Sequence, residues 1–136
     1  MIKKIDHIAI ASNDIEGAKR MFNELLGIDI EPRETVEEQG ITTDIYDPGE
    51  TKLEVMEPTD PDSPVGKFLE KKGEGIHHIC FEVTDIEEML QSLKDAGIEL
   101  INEEPTLGAG GNKIAFLHPK STHGVLIELS EPADRS

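Results

Sequence analysis

An internal repeat constrains the fold of this chain more than any other feature of its sequence. Residues 5–21 align with residues 76–92 at a constant offset of 71. The identical pairs are Ile5 and Ile76, His7 and His78, Ile8 and Ile79, Asp14 and Asp85, Ile15 and Ile86, and Glu16 and Glu87. Further along, LEVMEP at 53–58 resembles IELSEP at 127–132. We therefore expect two related modules, because self-similarity at a fixed offset is typical of duplicated structural units.

Each repeat predicts a strand, a helix and then several strands. Asn13 is the predicted N-cap of the first helix and Thr84 that of the second, each with a glutamate three residues later. Ser63 followed by Pro64 predicts a short helix between the modules. We expect a single domain over 1–136, with module one at about 4–60, the linking helix at about 62–73 and module two at about 75–132.

The alternation of side chains along a strand assigns four polar residues to one face. His7, Glu54, His78 and Glu128 each alternate with apolar residues that are expected to pack on helices. The repeat pairs His7 with His78, and the period of two places His77 on the opposite face from His78. His77 is therefore expected to be structural, or to support a ligand from outside the site.

These four residues form a candidate metal site. Two imidazoles and two carboxylates suit one divalent ion such as Co²⁺, Ni²⁺, Zn²⁺, Mn²⁺ or Mg²⁺. Four protein ligands leave two positions open on an octahedral ion, which is what a bidentate oxygen ligand needs. Each residue alone is more often an ordinary strand residue than a ligand, and the recurrence in both modules is what favours the metal site.

Charge and hydropathy exclude several classes of partner. The formal net charge is −16, which disfavours nucleic acid because phosphate backbones are repelled. No apolar run approaches the ~18 residues that span a bilayer, so we expect no membrane segment. The single cysteine, Cys80, cannot form an internal disulfide, which favours a cytoplasmic location.

Several motifs resemble those of a known family. DHIAIA, KLEVMEP, GIHHICFEV and GAGGNKIAFLHPKSTHGVLIELSEP resemble the methylmalonyl-CoA epimerases of the vicinal oxygen chelate superfamily, to which glyoxalase I also belongs. The resemblance covers residues 4 to 132. It implies an α+β fold in which two βαβββ modules form a curved mixed sheet around a metal site, with the helices on the outer face. It also implies that His7, Glu54, His78 and Glu128 bind the metal, and that the protein is a homodimer.

The resemblance further implies epimerisation of a coenzyme A thioester, methylmalonyl-CoA, at C2 through an enolate with acid/base groups on both faces. Asp44 is the first candidate base, because alternation in QGITTDIYD is expected to turn it toward the metal. A gapless alignment from Gly40 instead places Thr43 at the family position. Glu128 is the second candidate, as ligand and proton carrier, and Glu82 is a weaker alternative.

Other positions are assigned by the resemblance to coenzyme A binding. Lys120 and Ser121 are the candidate contacts for its phosphates, and the glycine-rich loop 108–113 is expected to lie near the site. Two alternatives remain open. One is a glyoxalase I-type lactoylglutathione lyase, which would share the fold and the four ligands. The other is a non-catalytic metal-binding or small-molecule-binding member of the superfamily, against which the complete ligand set argues.

Overall fold

A computed structural model of the chain describes residues 1–108 and 111–133. Its strands are β1 (Ile2–Ala11), β2 (Asp29–Ile30), β3 (Glu34–Val36), β4 (Ile41–Asp47), β5 (Lys52–Pro58), β6 (Gly75–Val83), β7 (Thr106–Leu107), β8 (Lys113–Leu117) and β9 (Leu126–Glu131). Its helices are α1 (Ile15–Lys19), which continues as a π-helical segment at Arg20–Leu25, α2 (Pro64–Lys72) and α3 (Ile86–Asp95). Part of the predicted loop 108–113 lies outside the described residues.

The structure divides into two compact units. One unit is His7–His77, and the other joins Met1–Asp6 to the chain from His78 onward. The start of β1 therefore belongs with the second half of the sequence, where the Met1 carbonyl accepts a hydrogen bond from the Thr84 N–H at 3.1 Å. The predicted module boundaries stay a prediction.

The unit His7–His77 has a mixed sheet with helices on both faces. Its strands are ordered β2, β4, β5, β1, with β3 paired to β4, and β1 runs parallel to β5. One face packs on α1 and its π-helical extension through a cluster that contains Ile15, Tyr46 and Val55. The other face packs on α2 through Ala11, Met56 and Leu69 among others.

The second unit repeats this topology. Its later strands are ordered β6, β9, β8, β7, and β6 runs parallel to β9 as β1 does to β5. One sheet face packs on α3 through a buried cluster of Val83, Ile86, Leu90, Ala115, Leu117 and Leu129. The prediction of an α+β fold built from repeated βαβββ order is confirmed. Among the described residues, no helix is long and apolar enough to cross a membrane.

Helix α1 and helix α3 each begin one residue later than predicted. Asp14 caps α1, with its carboxylate accepting from the Gly17 N–H, and Asp85 caps α3, accepting from the Glu88 N–H. The predicted caps Asn13 and Thr84 are therefore wrong. The predicted cap of α2 is confirmed, because the Ser63 hydroxyl oxygen accepts from the Gly66 N–H at 3.1 Å.

Besides the caps Asp14 and Asp85, a repeated pair of strand glutamates, Glu57 and Glu131, supports these helix starts. Glu57 accepts a hydrogen bond from the Ile15 N–H at 3.3 Å, and Glu131 accepts from the Ile86 N–H at 2.9 Å. A carboxylate at a helix N-terminus satisfies an N–H that has no partner in the helix and is favoured by the helix dipole. Glu57 and Glu131 occupy matching positions in LEVMEP and IELSEP. This repeated pair therefore joins strand to helix in both units.

Candidate metal centre

In the unit His7–His77, a histidine and a glutamate lie together on one sheet face. The parallel pairing of β1 and β5 sets Ala9 opposite Glu54 and His7 opposite Lys52. Because side chains alternate, His7, Ala9 and Glu54 share one face of the sheet. Helix α2 packs on the same face, against residues farther along β1 and β5. A ring nitrogen of His7 lies within 4.8 Å of a Glu54 carboxylate oxygen, and both residues are half-buried.

The second unit holds the equivalent pair. The His78 Nε2 atom lies 3.1 Å from the Glu128 Oε1 atom, and both side chains are about nine-tenths buried. The β6–β9 register sets Cys80 opposite Glu128, so that His78, Cys80 and Glu128 share a face. That face is opposite the cluster that packs on α3.

Each pair has the donor atoms of metal ligands, and the His78–Glu128 pair also has their spacing. Ligand bonds of roughly 2.0–2.2 Å at a right angle place two ligand atoms about 3 Å apart. The separation of 3.1 Å between His78 and Glu128 matches this value. The His7–Glu54 pair is compatible with it. Imidazole nitrogen with carboxylate oxygen fits a first-row divalent ion, so the residues present fit the implied metal.

Asp44 does not face the side of the sheet that carries Glu54. The antiparallel register of β4 and β5 sets Asp44 opposite Val55 and Ile45 opposite Glu54. Asp44 therefore shares the face of Tyr46 and Val55, which packs on α1. The predicted metal-facing orientation of Asp44 is wrong.

The physical reason is a buried ion pair. The Arg33 Nε and Nη2 atoms donate to the two Asp44 carboxylate oxygens at 2.9 and 2.8 Å. Asp44 is fully buried, and Arg33 also donates to Glu16 of α1. The hydrogen bonds from Arg33 to Asp44, followed by the one to Glu16, raise the pKa of the guanidinium above its usual range. Arg33 therefore links Asp44 of β4 to Glu16 of α1.

A comparison with protein families matches residues 6–116 to the Glyoxalase/Bleomycin resistance protein/Dioxygenase superfamily. The match covers most of the chain.

The chain belongs to this glyoxalase superfamily.

Its relatives within the glyoxalase superfamily include named epimerases. The Bacillus subtilis protein YqjC is 46% identical over 131 residues, which are 96% of this chain and 94% of that protein. The ethylmalonyl-CoA/methylmalonyl-CoA epimerase of Cereibacter sphaeroides is 38% identical over 96% of this chain and 99% of its own length. A variant of Streptomyces coelicolor methylmalonyl-CoA epimerase, solved in complex with 2-nitronate-propionyl-CoA, has a TM-score of 0.87 and 38% identity, covering 98% of this chain and all of that one. The predicted family resemblance is confirmed.

Glu82 and His77, two other predicted residues of this glyoxalase-superfamily chain, have different contacts. Glu82 shares the face of His78 and Glu128, and its carboxylate lies 3.6 Å from the Lys3 ammonium. His77 packs edge-on against Phe68 of α2, with ring centroids 4.9 Å apart. This contact agrees with the structural role expected for His77.

Lys120 and Ser121 belong to a 3₁₀ turn at Pro119–Ser121 that follows β8. The His118 Nδ1 atom caps this turn by accepting from the Lys120 N–H at 3.0 Å. The Ser121 hydroxyl oxygen accepts from the Glu99 N–H at 2.9 Å, and the Lys120 side chain is exposed. Their contact with coenzyme A stays a prediction.

Tyr46 is the buried neighbour of the Arg33–Asp44 ion pair. It is fully buried and packs edge-on against Phe22, with ring centroids 5.5 Å apart. Its hydroxyl has no hydrogen-bond partner among the described residues. Burial, followed by the charge of Asp44, raises the pKa of Tyr46 to about 12.

We expect this raised pKa to be measured directly by the absorbance of tyrosinate, because the chain has one tyrosine and no tryptophan. Tyr46 should ionise near pH 12 in the folded protein and near pH ~10 in guanidinium-unfolded protein. Since the folded-state pKa exceeds the unfolded one, the stability linked to Tyr46 is complete below pH ~10 and is lost as the pH rises to about 12. Equal midpoints in both states would contradict the buried position.

Proposed function

We propose that this protein epimerises methylmalonyl-CoA at C2 in a metal-dependent reaction. The observation that carries the proposal is the match over nearly the full chain, at 38% identity, to proteins named as epimerases of this substrate. The repeated His–Glu pairs supply the chemistry that such a reaction requires.

In this proposal His7, Glu54, His78 and Glu128 hold one divalent ion. The support is the repeat, the shared face within each unit and the ligand-like spacing of the His78–Glu128 pair. Which of Co²⁺, Ni²⁺, Zn²⁺, Mn²⁺ or Mg²⁺ is bound is decided by availability as much as by these ligands. When bound, the ion supplies positive charge that stabilises the negative charge developing on a substrate oxygen.

The residues of the chain then move the proton. Removal of the C2 proton breaks one C–H bond and leaves its electron pair in an enolate shared with the neighbouring carbonyl groups. We assign a Glu128 carboxylate oxygen as the acceptor on one side, because Glu128 is the buried acid of the His78 pair. Glu82, on the same sheet face, is the candidate for returning a proton to the other side. Asp44 is not part of this assignment, since both its oxygens are bound by Arg33.

Three further parts of the proposal rest on the family and the sequence. Lys120 and Ser121 are proposed to contact the phosphates of coenzyme A, and the single buried Cys80 supports a reducing, cytoplasmic location. The protein is proposed to be a homodimer. Sedimentation equilibrium that gives only the 15.0 kDa monomer at micromolar concentration would contradict the dimer.

The activity is tested by incubating the metal-reconstituted protein with each epimer of methylmalonyl-CoA in D₂O. We expect each epimer to convert to the other with deuterium incorporated at C2. A parallel assay uses the hemithioacetal of methylglyoxal and glutathione. Turnover of the hemithioacetal without epimerisation would show a glyoxalase I-type lyase instead, and turnover of neither substrate would contradict both activities.

A further inference from the structure

Three apolar side chains lie on the same sheet face as the His78–Glu128 pair. Leu126 lies opposite His78 in the β6–β9 register, Phe116 lies opposite Glu128 in the β8–β9 register, and Ile114 lies opposite Ser130. Residues that face each other in these pairings share a sheet face. Each of the three is partly exposed, and none belongs to the cluster that packs on α3. Apolar surface therefore remains beside the two polar side chains.

Phe116 is held closest to the pair. Its N–H donates to the Asn102 side chain at 2.8 Å, and its carbonyl accepts from the Ile101 N–H at 2.9 Å. Both groups point away from β9, so Phe116 and Glu128 form a non-hydrogen-bonded pair, in which side chains lie nearer to each other. The Phe116 ring also meets the His78 ring edge-on, with centroids 5.9 Å apart and an interplanar angle of 86°.

The chemistry of the proposed substrate requires an apolar surface beside a carboxylate. A C2-substituted malonyl thioester presents oxygen atoms to a cation and carries one alkyl group on the carbon between its carbonyl groups. That alkyl group gains from apolar contact, whereas contact with a carboxylate would remove the charged group from water without a partner. C2 of such a substrate bears both a transferable proton and an alkyl group. A carboxylate for the proton and an apolar ring for the alkyl group must therefore lie side by side.

We propose that Phe116 contacts the alkyl substituent at C2 and limits its size, an inference that rests on the proposed function. The name of the C. sphaeroides relative includes both an ethyl and a methyl substrate, so alkyl size varies among substrates within this superfamily. Phe116 therefore acts as a residue that selects the substrate. The volume of its ring beside the reacting carbon limits which alkyl groups fit.

The experiment compares kcat/KM for ethylmalonyl-CoA and methylmalonyl-CoA in wild type, Phe116→Leu and Phe116→Ala. One methylene in an apolar pocket changes discrimination by roughly 10–200-fold. We expect the ethyl-to-methyl ratio to rise about 10-fold in Phe116→Ala, with a smaller rise in Phe116→Leu. Phe81→Leu is the matched control, because Phe81 packs against the cluster on the α3 face. Its ratio should equal that of wild type.

Binding of both thioesters to the metal-loaded variants, measured by calorimetry, gives a second readout that does not need turnover. An unchanged ratio of rates, or of dissociation constants if a variant is inactive, would overturn the assignment of Phe116. An equal change in Phe81→Leu would overturn it as well. Wild-type protein that epimerises neither thioester would instead remove the proposed function, so the two failures are distinct.

Discussion

A His78→Ala variant is expected to lose the divalent ion and, with it, epimerisation. His78 lies 3.1 Å from Glu128 and shares its face, so the substitution removes one of four proposed ligands. Charge stabilisation by a bound metal is worth several kcal/mol, which corresponds to a fall in rate of roughly a thousand-fold. Metal content after dialysis, measured by elemental analysis, and the rate of C2 inversion should fall together.

His77→Ala is the matched control. His77 is the neighbouring histidine, but it packs on Phe68 in the other unit and is not a proposed ligand. We expect this variant to keep its metal and its rate, with a loss of stability of about 1 kcal/mol from the aromatic contact. Metal loss in His77→Ala together with metal retention in His78→Ala would show that the proposed ligand register is wrong.

An Asp44→Asn variant is expected to be less stable rather than catalytically altered. Removing one partner of a buried ion pair typically costs about 3–5 kcal/mol, because the remaining charge is buried without compensation. The Arg33 side chain is 35% exposed, so water partly compensates, and we expect a loss of about 2–4 kcal/mol. Urea denaturation, with the midpoint and slope fitted together, measures this loss.

Asp29→Asn on the neighbouring strand is the control for removal of a carboxylate. Asp29 is exposed, so its replacement should change stability by less than about 0.5 kcal/mol. A second measurement separates the structural role of Asp44 from a catalytic one. Folded Asp44→Asn should still invert both epimers in D₂O. One-sided deuterium exchange at C2 without inversion would instead return Asp44 to the role of a base.

The repeat allowed the sequence to determine most of the architecture. Identical residues at a constant offset predicted two βαβββ copies, and both copies have the same strand pairing. Strands with clear alternation also revealed their faces. Leu53 and Val55 pack toward α1 and Phe81 and Val83 toward α3, which leaves Glu54 and His78 on the other faces. Period-two patterning is a local property, and it survives folding when one face is buried.

Strand β4 alternates less clearly, and the face predicted for Asp44 was wrong. In ITTDIYD an apolar or bulky residue stands on each face, with Ile41 on one and Tyr46 on the other. Alternation that sets Ile41 and Ile45 toward the helix predicts the opposite, metal-facing side for Asp44, and this signal was misleading. Its partner Arg33 lies eleven residues earlier in the chain, and the β4–β5 register places Asp44 among the side chains that face α1.

The helix starts show the same limit at a finer scale. Asn13 and Asp14 are both good N-caps, as Thr84 and Asp85 are, and local preference alone did not separate them. The identity of Asp14 and Asp85 in the repeat was the available signal, as was the matching pair Glu57 and Glu131. The strand glutamates that bind the Ile15 and Ile86 N–H groups fixed the choice.

The sequence by itself therefore determined the duplicated α+β fold, the family and the candidate ligands, because these depend on repetition and on local periodicity. The tertiary structure decided that Asp44 is held by Arg33 and that Phe116 lies beside Glu128. Both facts depend on the register between strands that are distant along the chain. A shift of one residue in that register moves every side chain of a strand to the opposite face, and no local pattern in β4 or β8 encodes it.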